Sequence, residues 1–262
     1  MNKRNIALLG GSFDPITIAH LQIATEIYNQ FEDIDEVWLV PCGDAREDKK
    51  LTKGVHRVEM INLMLKDSLF KDVPIKVEDI EIKSNKYIPT YDLLKLLSEK
   101  HEDCTFHFCI GSDLLKGIRS WKPFGERLVE EYDFIVMNRP GYIVCEELLP
   151  TKSRFINTNF EGSSTIIRQR IKENKGKNGK KKYFGINGLT TVSVIDYINK
   201  NDLYNEEIKP TVIKTENTEE DKNMIDTENN SKQEIMLRSI INEMLNKEKM
   251  KTIEMVFQFV IV

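Results

Sequence analysis

The chain has 262 residues, 40% of them hydrophobic and 31% charged, with a formal net charge of -4. That length holds one sizeable α/β domain, or a domain of about 200 residues with an appendage, and the charge excludes a polycation built to bind DNA or RNA. No stretch reaches the roughly 18 apolar residues that a membrane-crossing helix needs, and the early run Ile6 to Leu9 is shorter than a signal-peptide core of about 7–15 residues. Apolar runs alternate with helical patterns along the chain. Ile6 to Leu9 reads as a strand, Ile18 to Tyr28 as a helix, and Glu36 to Val40 as a second strand ended by Pro41. Val55 to Leu65 is an amphipathic helix, and Ile75 to Ile82 contains a strand. Thr90 to Glu99 is helical and Thr105 to Ile110 is a strand. Asp133 to Met137 and Arg154 to Ile156 follow as strands, and Ser164 to Ile171 and Val192 to Asn199 as helices. This alternation predicts an α/β fold, a Rossmann-like doubly wound parallel sheet covered on both faces.

The cysteines Cys42, Cys104, Cys109 and Cys145 form neither a Cys-x-x-Cys pair nor a zinc-ligand cluster. They are expected to be free thiols of a cytosolic or nuclear protein. Composition changes near Tyr204. The expected organisation is one domain over 1–204, a low-complexity linker over 205–232, and a C-terminal helical and apolar tail over 233–262. Ser231 to Glu234 matches a capping box, and Leu237, Ile240, Ile241, Met244 and Leu245 repeat at helical spacing. The tail either folds back or pairs in a homo-oligomer, docks a partner, or has no defined role.

Open parallel sheets bind ligands at the carboxyl ends of their strands. Polar motifs stand at four such ends: Gly10-Gly11-Ser12, Pro41-Cys42-Gly43-Asp44, Gly111-Ser112-Asp113 and Asn138-Arg139-Pro140-Gly141. In the first, glycines let backbone approach a phosphate, and the N-terminus of the following helix favours an anion. Its dipole supplies only about 0.3–1 kcal/mol, or roughly 2 in partly buried geometry, so a triphosphate needs further donors. Thr17 and His20, three apart, can share one helix face and both can donate to phosphate. Late in the chain, Gly162-Ser163-Ser164-Thr165-Ile166-Ile167-Arg168 opens another helix. Ser and Thr suit a helix start, and Arg168 can reach back toward it.

The run Gly10 to His20 resembles the first signature of the nucleotidyltransferase superfamily with a His-x-Gly-His motif. In particular, Gly11-Ser12-Phe13-Asp14-Pro15 is similar to the nicotinate/nicotinamide mononucleotide adenylyltransferase family. Thr17 stands where many members have the first histidine, and Ala19 where many have glycine; His20 is retained. Gly162 to Arg168 resembles the second signature, Ser-Ser-Thr-x-x-Arg, with Gly162 replacing an apolar residue. Gly43 to Leu51 with His56-Arg57-Val58-Glu59-Met60 resembles the eukaryotic pattern, Ile88-Pro89-Thr90-Tyr91-Asp92 and Arg139 to Tyr142 the bacterial one. Leu189 to Tyr204 resembles the closing helix.

The resemblance implies an adenylyltransferase of NAD biosynthesis that joins nicotinate mononucleotide, or also its amide, to AMP from ATP and releases pyrophosphate. Its partners would be ATP and the pyridine mononucleotide, with no nucleic acid and no membrane. Gly10, Gly11, Ser12, Phe13, Thr17, Ser164 and Thr165 would bind ATP and its phosphates. His20, a loop lysine and Arg168 would be catalytic; the lysine is Lys49, with Lys50 as the alternative. The Thr90 backbone N–H would face the pyridine carboxylate, Trp121 would stack on the ring, Asp113 would take ribose hydroxyls, and Arg139 would border the substrate phosphate. Arg57 would support the phosphate site or anchor the loop. Mg²⁺ would come with ATP, held by substrate and water rather than by a protein cage. Two alternatives are another superfamily transfer, of the pantetheine-phosphate or cytidylyl type, and a nucleotide-binding chaperone without turnover. The lysine-rich stretch 172–182 is expected to be an exposed insertion.

Overall fold

The computed structural model describes residues 3–45, 50–67, 70, 72–138, 144–158, 163–173 and 183–205. Lys49, Arg139, Gly162, most of the lysine-rich stretch and the chain from 206 onward therefore lie outside the described residues.

Six strands form one sheet: β1 (Arg4–Gly11), β2 (Glu36–Pro41), β3 (Ile75–Val77), β4 (Cys104–Gly111), β5 (Asp133–Asn138) and β6 (Lys152–Asn157). Every pairing is parallel and the order is β3-β2-β1-β4-β5-β6. The chain steps outward from β1 through β2 to β3, then returns to lay β4 on the other side of β1. This reversal opens a crevice at the carboxyl ends of β1 and β4. Gly11 pairs with Pro41 across β1 and β2, and Gly111 with Met137 across β4 and β5, so the motifs read from the sequence share that edge.

Both faces of the sheet are buried, which is why its strands read as apolar runs rather than as alternation. Ala7, Leu9, Val37, Leu39, Ile135 and Met137 pack against α1 (Ile18–Gln30), α2 (Gly54–Lys66), α7 (Ser164–Glu173) and α8 (Val192–Lys200). Ile6, Leu8, Val40, Phe106, Phe108 and Phe134 pack against α4 (Thr90–Lys100), α5 (Leu115–Ile118) and α6 (Gly125–Glu131).

Ile75 to Ile82 is strand only over Ile75–Val77; a short helix, α3 (Ile80–Ser84), begins at Ile80. The apolar alternation of Ile75 and Val77 breaks at Glu78-Asp79, which separate the strand from the helix. The Glu81 carboxylate is buried and accepts the Gly43 N–H at 3.1 Å. Helices α5 and α6 have no signature in the sequence because each is very short. Their packing is nevertheless tight: a Cβ on Gly125 would stand 2.4 Å from the Arg119 carbonyl oxygen.

The end of α8 matters for the site. Leu203 N–H donates to the Ile198 carbonyl at 3.0 Å and Asp202 N–H to that of Asn199 at 3.2 Å, and Asp202 has φ 50°. This is a Schellman-type ending, with Asp where glycine is usual. Leu203 closes it by packing into the same core as Ile198.

At the opposite edge of the sheet, buried His107 of β4 meets Asn5 Oδ1 through Nε2 at 3.1 Å and Arg154 Nη2 through Nδ1 at 3.3 Å. A guanidinium only donates, so Nδ1 accepts and the imidazole is neutral, with its proton on Nε2. Burial and the Arg154 charge hold its pKa below the ordinary 6.5, opposed by Asp133 and Asp33. The unfolded chain thus takes up this proton first, so stability is full above about pH 6.5 and falls as pH drops below that value. The expected outcome is that the difference in urea-unfolding free energy between wild type and His107→Gln shrinks from pH 7.5 to 5.5. A difference that stays constant over that range contradicts this account.

Candidate active site

The loop from β1 to α1 is built around side chains that turn back onto it. Thr17 is the N-cap of α1 and His20 completes a capping box. His20 Nδ1 accepts the Thr17 backbone N–H at 3.0 Å and lies 2.7 Å from Thr17 Oγ1. Because a backbone N–H can only donate, Nδ1 carries no proton, and the neutral ring holds its proton on Nε2. Phe13, buried at φ 47°, packs its ring edge-on against His20 at 5.0 Å. Thr17 at this position is thus a cap and an orienter of the histidine.

The start of α7 docks onto the same loop. Ser164 Oγ donates to the Pro15 carbonyl at 2.7 Å, and Arg168 Nη1 donates to the Asp14 carbonyl at 2.6 Å. Arg168 Nη2 donates to Thr165 Oγ1 at 3.1 Å. The two motifs, far apart in sequence, meet at one place. Their two hydroxyls differ: Ser164 spends its only proton on Pro15, whereas Thr165 accepts from Arg168 and keeps its own proton to donate. Thr190 Oγ1 adds a bond to the Ile16 carbonyl at 3.0 Å.

Arg57 of α2 is fully buried. Its Nε donates to the Thr52 carbonyl at 2.8 Å and Nη1 to that of Ser12 at 2.8 Å. Nη2 donates to the Cys42 carbonyl and to Asp44 Oδ1, both at 2.7 Å. Asp44 Oδ2 in turn accepts the Gly54 N–H at 2.9 Å, at the first residue of α2. Arg57 therefore joins the loop after β1, the loop after β2 and the segment entering α2. Of the two lysines expected in that loop, only Lys50 is described, and it is exposed.

On the other side of the crevice, Asp113 follows β4 in a single 3-10 turn, and Thr90 is the first residue of α4, after Pro89. Trp121 is half-buried and meets Phe108 of β4 edge-on at 6.5 Å. The Phe108 ring also faces Gly10, where an added Cβ would stand 3.7 Å from it. One phenylalanine therefore lies between the glycine end of β1 and the tryptophan. Tyr91, next to Thr90, packs on Phe124 at 5.0 Å and donates to Glu131 Oε2 at 2.7 Å, which ties the start of α4 to the segment carrying Trp121.

Two residues of the site were not singled out from the sequence. Asp14 is 2% exposed, and its carboxylate accepts the Thr52 N–H at 3.1 Å and the Tyr204 hydroxyl at 2.7 Å. Asp14 sits inside the first motif and was legible there. Tyr204 is 190 residues away; the sequence marks it as the Leu-Tyr end of the closing-helix resemblance but gives no sign of its contact with Asp14.

Residues 8–170 match the cytidylyltransferase-like family. A protein of Halalkalibacterium halodurans named "Probable nicotinate-nucleotide adenylyltransferase" is 34% identical over 81% of this chain and 98% of its own length. The structure of Plasmodium falciparum nicotinic acid mononucleotide adenylyltransferase complexed with NaAD aligns with TM-score 0.64 and 36% identity, over 77% of this chain and 97% of that one. Its complex with APC aligns with TM-score 0.63, 34% identity and the same coverage. The chain belongs to the nicotinate-nucleotide adenylyltransferase family. Almost the whole length of these adenylyltransferases is matched, so the shared fold includes both signatures.

The two adjacent glycines of this adenylyltransferase differ in what the fold asks of them. At Gly10 the nearest atom to an added Cβ is at ordinary contact distance, whereas at Gly11 the Phe13 ring is met at 3.0 to 3.3 Å. Phe13 is enclosed and cannot swing aside. Gly10→Ala is expected to leave unfolding free energy within about 0.5 kcal/mol of wild type, and Gly11→Ala to lower it by about 1–3 kcal/mol. Urea unfolding of both variants checks this; equal losses would show that the Phe13 contact is not what requires Gly11.

Proposed function

We propose that the protein joins nicotinate mononucleotide to the AMP moiety of ATP and releases pyrophosphate, as a step of NAD biosynthesis. The observation that carries this reading is the docking of α7 on the β1–α1 loop, through Ser164 to Pro15 and Arg168 to Asp14. It gathers the donors of both motifs at the carboxyl edge of the sheet, where a triphosphate would lie.

In this reading a phosphate oxygen of the mononucleotide attacks the α-phosphorus of ATP. The bond to the bridging oxygen of the β-phosphate breaks, and pyrophosphate leaves with the electron pair. The attacking oxygen is already anionic, so no strong base is required, and the rate comes from alignment and charge stabilisation. His20 donates from Nε2 to the α-phosphate and the leaving oxygen. Arg168 and the Thr165 hydroxyl hold the pyrophosphate, and Ser164 holds the helix against the loop. Gly10 leaves room for phosphate at the end of β1. We keep Lys49 as the loop lysine, Asp113 on ribose, Trp121 on the pyridine ring and Arg139 at the substrate phosphate.

Mg²⁺ would come with ATP, held by its phosphate oxygens and water, and would neutralise charge there; both Asp14 carboxylate oxygens already accept protein donors. The comparisons with complexes of NaAD and APC support use of a pyridine dinucleotide and a nucleotide at this fold, which favours this reading over a pantetheine-phosphate or cytidylyl transfer. Half-buried Trp121, set against Phe108, supports an aromatic ring beside the second substrate.

His20→Ala is expected to lower kcat at least roughly 10²-fold, on the scale of removing one donor from a developing oxyanion. Steady-state assay with both substrates saturating checks it, and turnover near wild type would remove His20 from the mechanism. Substrate choice gives a second test. The α4 start at Thr90 directs helix N–H groups and the positive dipole end outward, favouring a carboxylate over a neutral amide. The expected kcat/KM is higher for nicotinate than for nicotinamide mononucleotide; equal values in a competition assay reject this role for Thr90.

A further inference from the structure

We propose that Tyr204 is a positioning residue for ATP: its hydroxyl, through the Asp14 carboxylate, fixes the loop that receives the triphosphate. The inference rests on the reading of the β1–α1 loop as the phosphate site. Asp14 is the residue where that loop is held from three directions. Its carbonyl accepts from Arg168, one carboxylate oxygen from the Thr52 N–H, and the other from Tyr204. Arg168 belongs to the second motif, and Thr52 to the segment that follows the lysine loop and is itself bonded by Arg57. A shift of Asp14 is therefore felt by Arg168 and by the segment entering α2 together.

Tyr204 is built for this contact at local expense. It has φ 64°, in the left-handed region that a bulky side chain rarely occupies. The Schellman-type ending of α8 delivers the chain to it, and Leu203 is anchored in the core immediately before. Burial and the Asp14 charge push the phenol pKa upward, so the hydroxyl keeps its proton and remains a donor across the working pH range. The phenol is the donor that offsets one oxygen of a carboxylate only 2% exposed. The cost of removing it falls on the position of Asp14, and through Arg168 on the triphosphate.

The test is Tyr204→Phe in the full chain, which removes one oxygen and keeps the ring. The expected result is a KM for ATP raised roughly 5- to 20-fold, less than the full worth of a hydrogen bond to a charged group because the effect reaches ATP through the loop. KM for nicotinate mononucleotide should stay within about twofold. A residue that only supports the fold would lower the active fraction and the thermal midpoint while leaving both KM values alone, and that result overturns the inference. Asp14→Asn supplies the second arm. It should show the same ATP-selective rise, including where Tyr204→Phe fails to fold, and Tyr204→Phe should add little in that background. Additive effects of the two changes overturn the route through Asp14. His20→Ala serves as control. If it abolishes turnover while Tyr204→Phe leaves the KM for ATP unchanged, the inference fails and the site reading stands. If His20→Ala turns over normally, the site reading itself fails.

Discussion

A loop can present itself to an anion only if its own carbonyl oxygens are turned elsewhere. In the β1–α1 loop this is done residue by residue. The carbonyl of Ser12 accepts from Arg57, that of Asp14 from Arg168, that of Pro15 from Ser164 and that of Ile16 from Thr190. Each donor is a side chain from outside the loop, two of them on α7, and two of them, Arg57 and Arg168, carry a full positive charge. The acceptors, which would repel phosphate, are thus occupied by protein. What remains facing the crevice is the helix N-terminus and the imidazole whose Nδ1 is occupied by Thr17. Burying the Arg57 guanidinium would be costly in isolation. Here its N–H groups find three carbonyls and a carboxylate, which is the condition under which a buried cation is tolerated.

The same economy links the two halves of the crevice. Gly43 N–H is held by Glu81, and a Cβ there would stand 2.7 Å from the Lys86 carbonyl oxygen. Helix α3 therefore lies directly against the loop after β2, and the chain leaves it toward Thr90. A Cβ on Gly54 would meet Ile82 of the same helix at 2.4 Å. The segment entering α2, the start of the loop after β2 and the approach to α4 are in close contact. In this reading that block fixes the spacing between the phosphates of one substrate and the ring of the other, which an in-line displacement requires.

How much of this was legible in the sequence follows from the range of the signals. Strands such as Ile6 to Leu9 and Asp133 to Met137 declare themselves because burial on both faces makes them continuous apolar runs. The glycines, the Thr17 to His20 spacing and the Ser164 to Arg168 helix start are local patterns with local reasons, and each is found at the carboxyl edge. What the sequence did not disclose is long-range or short. The strand expected within Ile75 to Ile82 is there, but the contact of Glu81 with Gly43, 38 residues away, leaves no local pattern. Helices α5 and α6 are too brief to show a period. Asp202 hides a helix ending that glycine would have announced. The contact of Tyr204 with Asp14 joins residues 190 apart in sequence, which no local pattern reveals. The loop lysine Lys49 and Arg139 fall outside the described residues, so their roles rest on the motif alone.

Charge sets a last condition. The chain carries 38 Lys and Arg against 42 Asp and Glu, so its overall field does not attract two anionic substrates. Any gain must come from donors within a few ångströms, where exclusion of water strengthens each contact and salt screens it little. The arrangement at the crevice meets that condition. Asp44 is paired with the Arg57 guanidinium, so its charge is compensated before a phosphate arrives, whereas Asp14 is buried and held by two neutral donors, the Thr52 N–H and the Tyr204 hydroxyl. Arg168 binds the loop through neutral oxygens, the Asp14 carbonyl and the Thr165 hydroxyl, and so keeps its charge for a ligand. Among the described residues of the crevice, the one carboxylate that an arginine pairs is Asp44, while Arg168 is not spent on a carboxylate, and in an acidic protein that asymmetry favours an anion at the site.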